Sequence, residues 1–244
     1  SLDPKILFHL LPWLFLFIRS CQKRHVKKNL QLICELAQKS QKIYEEMTTA
    51  KDLDFGFTQS GLLVLFQNKR SLKEARQESN MLRDEGVPSQ YVGEEEAKNM
   101  EPSILKTSGG LYYPKDSHLD PSRYVFSLAE KLKNLGVPLF EHTRILDFEV
   151  NKGQIQSVIT TYGVFEAKKI ILCAGAYSKH LAQKLKVHLP LQPAQGHSLM
   201  APSNALSPKR PLILEDAKIT VTPFERGTRY AGMLNLCSLH ESLS

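Results

Sequence analysis

Apolar and polar positions alternate with two different periods along the chain, and the change of period marks out its elements. Residues 20–48 carry Leu30, Ile33, Leu36, Ala37, Ile43, Tyr44 and Met47 at helical spacing, with Lys, Gln and Glu between them. That pattern predicts one long helix. Residues 70–85 repeat it and stop at Gly86, with Pro88 beyond, which is how a helix ends. "FGFTQSGLLVLFQN", 55–68, predicts a strand pair turning at Gln59-Ser60-Gly61. "YVGEEEAKNMEP" predicts a short strand, then a short acidic helix halted by Pro102. "SGGLYYPKDSHLDP" predicts a strand between turns. Asp120-Pro121 opens a helix over 121–135, because Asp caps well and Pro suits the first helical position.

After Gly136 the period changes to two. "VPLFEHTRILDFEVNKGQIQSVITTYGVFEAKKIILCAGA" predicts a strand at 138–141 and then a meander with Asn-Lys-Gly and Tyr-Gly turns. Its last strand, 168–174, is apolar on both faces and is expected to be central. A helix over 177–186 follows, then a strand in "LPLQPAQGHSLMAP". A loop spans 203–211, and "LILEDAKITVTPF" and "TRYAGMLNL" form a last strand pair. The resulting fold class is α+β, a mixed arrangement of sheet and helices.

Composition changes this picture little. A chain of 244 residues with 42% hydrophobic and 23% charged residues buries a sizeable core and is not disordered. The net charge of +7 permits an anionic partner without identifying one. The cysteines Cys21, Cys34, Cys173 and Cys237 form no C-x-x-C pair, which points to reduced thiols and a cytoplasmic protein. Residues 6–18, ILFHLLPWLFLFI, are shorter than the ~20 residues of a membrane-spanning helix. They run into the basic stretch RSCQKRHVKK. Two readings stay open for this segment: a helix pair packed on its own domain, and an apolar anchor at an anionic membrane surface.

Several chemical lookalikes fall away. The alternating acids and His of "DSHLD" are weak as a metal site, and an N-capping turn explains them better. "GAYS" is not G-x-S-x-G, so Ser178 is no hydrolase nucleophile. The basic run 19–28 lacks the interleaved aromatic residues of single-strand nucleic-acid binders, so no nucleic-acid partner is expected. The Ala-Gly-Ala end of "KKIILCAGA" has small side chains where a nucleotide cofactor approaches a strand end. A tight turn with nothing bound explains it as well.

Taken in order, "LPWLFLFIRSC", "SGLLVLFQN", "GGLYYPKDSHLDP", His142-Thr143-Arg144-Ile145, the meander, "ILCAGAYS" and "LPLQPAQGHSL" resemble the D-amino-acid oxidase superfamily of flavoproteins. Within it the chain most resembles the smaller polypeptide of the bacterial D-amino-acid dehydrogenases, with glycine and sarcosine oxidases more distant. The resemblance covers nearly the whole chain. It implies a substrate-binding mixed antiparallel sheet with helices and a partial FAD-binding lobe with a β-meander. The implied division is 1–54 as a helical segment packing on the substrate domain, 55–115 and 188–244 as the substrate domain, and 116–187 as the partial flavin lobe.

The resemblance further implies FAD as cofactor, with a small D-amino acid or secondary amine oxidised by hydride transfer. Ile145, Ala174, Gly175 and Ala176 are implied cofactor contacts. Lys218 and Tyr113, with Tyr112 beside it, are implied substrate-facing residues. Pro223 departs from the Arg that several members carry. No catalytic base and no metal are implied. Thirteen glycines nowhere form G-x-G-x-x-G. In the family that turn lies upstream of the matching stretch, and the substrate-carboxylate arginine lies downstream. The chain is therefore expected to be an interior piece of a longer flavoenzyme, inactive in isolation and binding FAD weakly. A peripheral link to the inner membrane and its quinones, and a homo-oligomer, are the remaining expected partners. The alternative reading is a basic binding module without a cofactor.

Overall fold

The computed structural model describes residues 4–50 and 53–236, arranged in two compact units. One unit holds the residues up to 21, 138–195 and those from 234 on; the other holds 22–137 and 196–233. The N-terminal helical segment is thus divided at Gln22, and the helix expected in the flavin lobe at 121–135 groups with the sheet. Cys237 lies outside the described residues.

The larger unit is a mixed sheet with helices. Its elements are α2 (Lys23–Thr49), β1 (Leu62–Phe66), α3 (Lys69–Asp84), β2 (Gln90–Val92), α4 (Glu94–Met100), β3 (Gly109–Tyr113), α5 (Pro121–Asn134), β8 (Leu212–Leu214), β9 (Ile219–Phe224) and most of β7 (Ala194–Ala201) and β10 (Gly227–Leu236). The strand order is β2-β3-β1-β8-β9-β10-β7. The β1–β8 pair is parallel, whereas β2–β3, β3–β1, β8–β9 and β9–β10 are antiparallel.

The run LLVLF is continuous because β1 is buried on both faces. Leu63 and Leu65 pack with Val92, Ala97, Leu212 and Val221. Phe66 packs with Leu72 of α3 and Leu111, and Val64 joins them from the same side. Asp120 caps α5 as its sequence predicts, accepting from the amides of Ser122 (3.0 Å) and Arg123 (3.3 Å).

The hairpin expected over 55–68 does not form. Thr58 makes an isolated bridge to His118, and the amide of Gly61 donates to the Asp116 carbonyl. Backbone partners far along the chain therefore satisfy this segment, in place of its own neighbour. In α2, Cys34 is buried and Tyr44 stacks edge-on to Tyr124 (5.3 Å). The expected apolar stripe through Ile33, Leu36 and Ile43 is open instead. Polar Gln41 does part of the anchoring, donating to the Lys115 carbonyl at 2.6 Å.

The smaller unit contains α1 (Pro4–Ser20), a three-stranded antiparallel meander and a short helix. The meander is β4 (Ile145–Asn151), β5 (Gln154–Thr160) and β6 (Val164–Glu166). Lys152 and Gly153, both at positive φ, form the two-residue turn that Asn-Lys-Gly predicts. A 3-10 turn, Gly175–Tyr177, leads into α6 (Ser178–Lys184), and Lys184 approaches Asp147 of β4 at 3.9 Å.

Two strand expectations fail in this unit. Residues 138–141 are irregular, and Phe140 packs as a side chain against Tyr162 (5.3 Å) and Phe165 (4.7 Å). The apolar run 168–174 is irregular too, and Ile171 is 85% exposed. Its composition suits a strand, but no strand among the described residues pairs with it. Pairing and packing, not composition, decide whether such a run becomes a strand.

Candidate functional site

The cofactor-side candidates all fall in the smaller unit. Ile145 opens β4 opposite Thr160, next to a register shift that leaves Leu146 bulged. Ala174 caps the 3-10 turn and accepts from the Tyr177 amide at 3.0 Å. Gly175 is exposed with φ +53, and an added Cβ there would meet nothing within 4 Å. Ala174 and Ala176 are half-buried. The turn thus leaves its backbone accessible and its approach free of side chains, which fits a nucleotide cofactor lying across it.

The substrate-side candidates fall in the larger unit. Tyr113 and Lys218 line one cleft of about 480 Å³ beside α3. Burial, reinforced by Asp116 and Glu78, raises the pKa of the Tyr113 hydroxyl. Lys218 holds a positive φ in the β8–β9 turn, and its ammonium pairs with Glu215 while remaining 72% exposed. Glu74, Glu78, Glu215 and Asp216 share the cleft, so its surroundings are acidic. Tyr112 points elsewhere. Its ring lies under Arg210 (5.4 Å) and fills the space that a side chain at Gly61 would need.

A second cleft, of about 540 Å³, lies where α2 faces the β9–β10 hairpin, and sequence reasoning did not single it out. His118 and Arg229 both line it. Both also lean on Phe224: the Arg229 guanidinium is 5.3 Å from the ring centre, and the His118 ring is 6.2 Å away. Burial lowers the His118 pKa, against a smaller opposing effect from a hydrogen bond with the Pro223 backbone. The Nδ1 of His118 and the Nε of Arg229 are buried without a hydrogen-bond partner among the described residues. Arg229 sits opposite Thr222 in the hairpin register, which puts both on one face. A charged residue inside the β-patterned run TRYAG was the available signal. His118 was considered only as a metal ligand, and no metal-binding group of three or more residues occurs among the described residues.

A third cleft, of about 670 Å³, is framed by ion pairs. Arg123 of α5 binds Asp54 and also Glu225 (2.5 Å), and Arg226 reaches the buried Asp120 at 3.0 Å. These charges satisfy one another and tie α5 to the β9–β10 turn.

The sequence model of the family described as DAO, FAD dependent oxidoreductase, matches residues 12–235. A D-amino acid dehydrogenase of Vibrio atlanticus is 26% identical over 242 residues, covering 97% of this chain and 58% of the relative. One from Allorhizobium ampelinum is 28% identical over 242 residues, covering 96% and 57%. The chain therefore spans somewhat over half the length of these curated relatives. Among solved structures, glycine oxidase from Geobacillus kaustophilus superimposes with a TM-score of 0.77 at 20% identity, covering 86% of this chain and 58% of that one. L-proline dehydrogenase from P. horikoshii gives 0.72 at 20% identity, covering 80% and 54%. At such identities these two structures speak to the fold.

Proposed function

Since the chain belongs to the DAO family of FAD-dependent oxidoreductases, we propose that it forms part of an enzyme oxidising a small D-amino acid or secondary amine. The observation that carries this reading is the family match, which runs through both compact units. FAD would supply the hydride acceptor. The chain's own part is to present backbone and to position the substrate. Ala174, Gly175 and Ala176 offer main-chain groups with no side chain in the way, and Ile145 offers main chain at the start of β4. On the substrate side, the sheet unit supplies rigid strands on which a small molecule can be held in one orientation. Tyr113 and Lys218 are candidates for lining that space.

The test is the visible spectrum of the gene product, purified from its own source without added cofactor. Flavin absorption that bleaches under anaerobic D-amino acid supports the reading. Absence of flavin, with none taken up on reconstitution, sinks it.

A second reading rests on α1. Phe15, Phe17 and Ile18 are at least half exposed, and Arg19, Arg24, Lys27 and Lys28 follow closely. No described helix is long and apolar enough to cross a membrane. An apolar helix followed in the sequence by basic residues suits peripheral attachment to anionic lipid, where electrons could pass to a quinone. Failure to co-sediment with anionic vesicles at low salt, where attraction is strongest, removes this reading. Pairing of two copies is the remaining partner proposal, and light scattering at several concentrations decides it.

A further inference from the structure

The open face of α2 is patterned like a helix that packs on another helix. We propose that this face is a self-association surface, on which α2 of a second copy lies antiparallel. The proposal gives the pairing of two copies a surface and a direction, and it rests on that pairing. It does not depend on the cofactor.

Val26, Ile33, Leu36 and Ile43 are all aliphatic, yet they range from 46% to 61% exposed. Val26 and Ile33 are seven residues apart, as are Leu36 and Ile43, and three residues separate Ile33 from Leu36. That is the a/d spacing of a helix-packing seam. The seam runs for about 26 Å at 1.5 Å per residue. It is not the face that holds α2 to its own unit. That work falls to buried Cys34 and to Tyr44, whose ring meets Phe55 and Tyr124. Single exposed aliphatic residues are ordinary on a protein surface. A row of four in one register marks a place where another helix fits.

The seam reads the same in both directions. With a second copy reversed about the midpoint between Cys34 and Glu35, Val26 faces Ile43 and Ile33 faces Leu36. The two polar seam positions, Asn29 and Ser40, then face each other and can hydrogen-bond. Beside the seam, His25 comes next to the partner copy's Glu46 position. The aliphatic stem of Lys39 comes next to Leu32, which is itself 57% exposed. A two-fold axis makes every one of these contacts twice.

Charge decides the direction. The first turns of α2 carry Arg24, His25, Lys27 and Lys28, and its last turns carry Glu45 and Glu46. Both ends oppose the helix dipole, which favours acids at the start and bases at the end. Glu46 meets Lys42 at 3.8 Å with both side chains well exposed, a loose surface pair. An antiparallel partner brings an acidic end to each basic start. A parallel partner would set basic start on basic start. An anionic membrane would attract one end of this face and repel the other, so a second copy fits it better than lipid does.

The test is sedimentation velocity of the 244-residue chain from low micromolar to near-millimolar concentration. The wild type is expected to pass from the mass of one copy to that of two. Leu36→Glu, which places a carboxylate against Ile33 at two symmetric points, is expected to weaken pairing by about tenfold or more. Glu46→Lys and His25→Glu are each expected to weaken it by about threefold or more, because each sets like charges together. The two combined in one chain are expected to restore it. All these positions lie on the surface, and circular dichroism reports that each variant is folded. A wild type that stays monomeric throughout removes the pairing and this surface together, leaving the α2 face to a different polypeptide. Pairing that Leu36→Glu leaves unchanged overturns the proposal while the pairing stands. A double variant no tighter than either single variant overturns it too, since it excludes the antiparallel direction. No step of this test involves flavin, so the oxidoreductase reading is decided separately by the spectrum of the gene product.

Discussion

At Gly110 in β3, an added Cβ would overlap the carbonyl oxygen of Val64 in the neighbouring strand. The obstacle is backbone, which cannot rotate away as a side chain could. Gly110→Ala is therefore expected to cost about 1–3 kcal/mol, the usual range for overpacking, read as a lower urea midpoint with an unchanged slope. An unchanged midpoint would mean that β1 and β3 are more loosely joined than their register implies. His118 gives a second prediction at this scale. Its pKa is lowered from 6.5 by burial, so the folded chain resists a proton that the unfolded chain accepts. The stability this contributes is complete above about 6.5 and is lost as pH falls through the lower folded value. With seven other histidines in the chain, the signal lies in a difference. The urea midpoint of His118→Gln should fall less steeply than that of the wild type between pH 7 and pH 5. Parallel curves would show that His118 is freely protonated in the fold.

Elements divide by whether their stabilising contacts are local. The helix 70–85, the Asp120-Pro121 start of α5 and the Asn-Lys-Gly turn were legible because cap, period and turn residues sit close together in sequence. The failures at 55–61, 138–141 and 168–174 share one cause: each depends on partners remote in sequence. Thr58 finds His118, Phe140 finds an aromatic cluster, and 168–174 finds no strand among the described residues. The site was legible to the same extent. Gly175 was singled out as a candidate from its small neighbours, whereas the approach of His118 and Arg229 to Phe224 depends on the β9–β10 register and a distant turn. Amide hydrogen exchange tests the strand distinction directly. Leu63, Leu65 and Leu111, in paired and buried strands, are expected to exchange slowest. Amides 169–173 should exchange orders of magnitude faster. Protection there would require a strand partner and would restore the sequence-based expectation.

At the scale of the whole molecule, the two units carry different parts of the proposed chemistry, and the cofactor part is thinly supplied. A flavin dinucleotide holds its pyrophosphate best on backbone amides at a helix start reached through a glycine-rich turn. None of the thirteen glycines makes that turn, and the proposed contacts reduce to main chain at Ile145 and at 174–176. A few main-chain hydrogen bonds contribute about 1 kcal/mol each. Association itself costs several kcal/mol, so the balance is poor. The 244-residue chain is therefore expected to bind FAD with a Kd of about 1 mM or weaker, equivalent to about −4 kcal/mol. Titrating the chain into FAD and following flavin fluorescence measures this, with calorimetry as a check on stoichiometry. Tight one-to-one binding would mean that the chain builds a pyrophosphate site from residues other than these. Gly175→Val then separates the two cases. If the 174–176 turn is the contact, the bulky side chain reduces even weak binding, because it occupies open space at a φ that valine adopts only under strain. If binding is tight and Gly175→Val leaves it unchanged, the cofactor sits elsewhere on the chain.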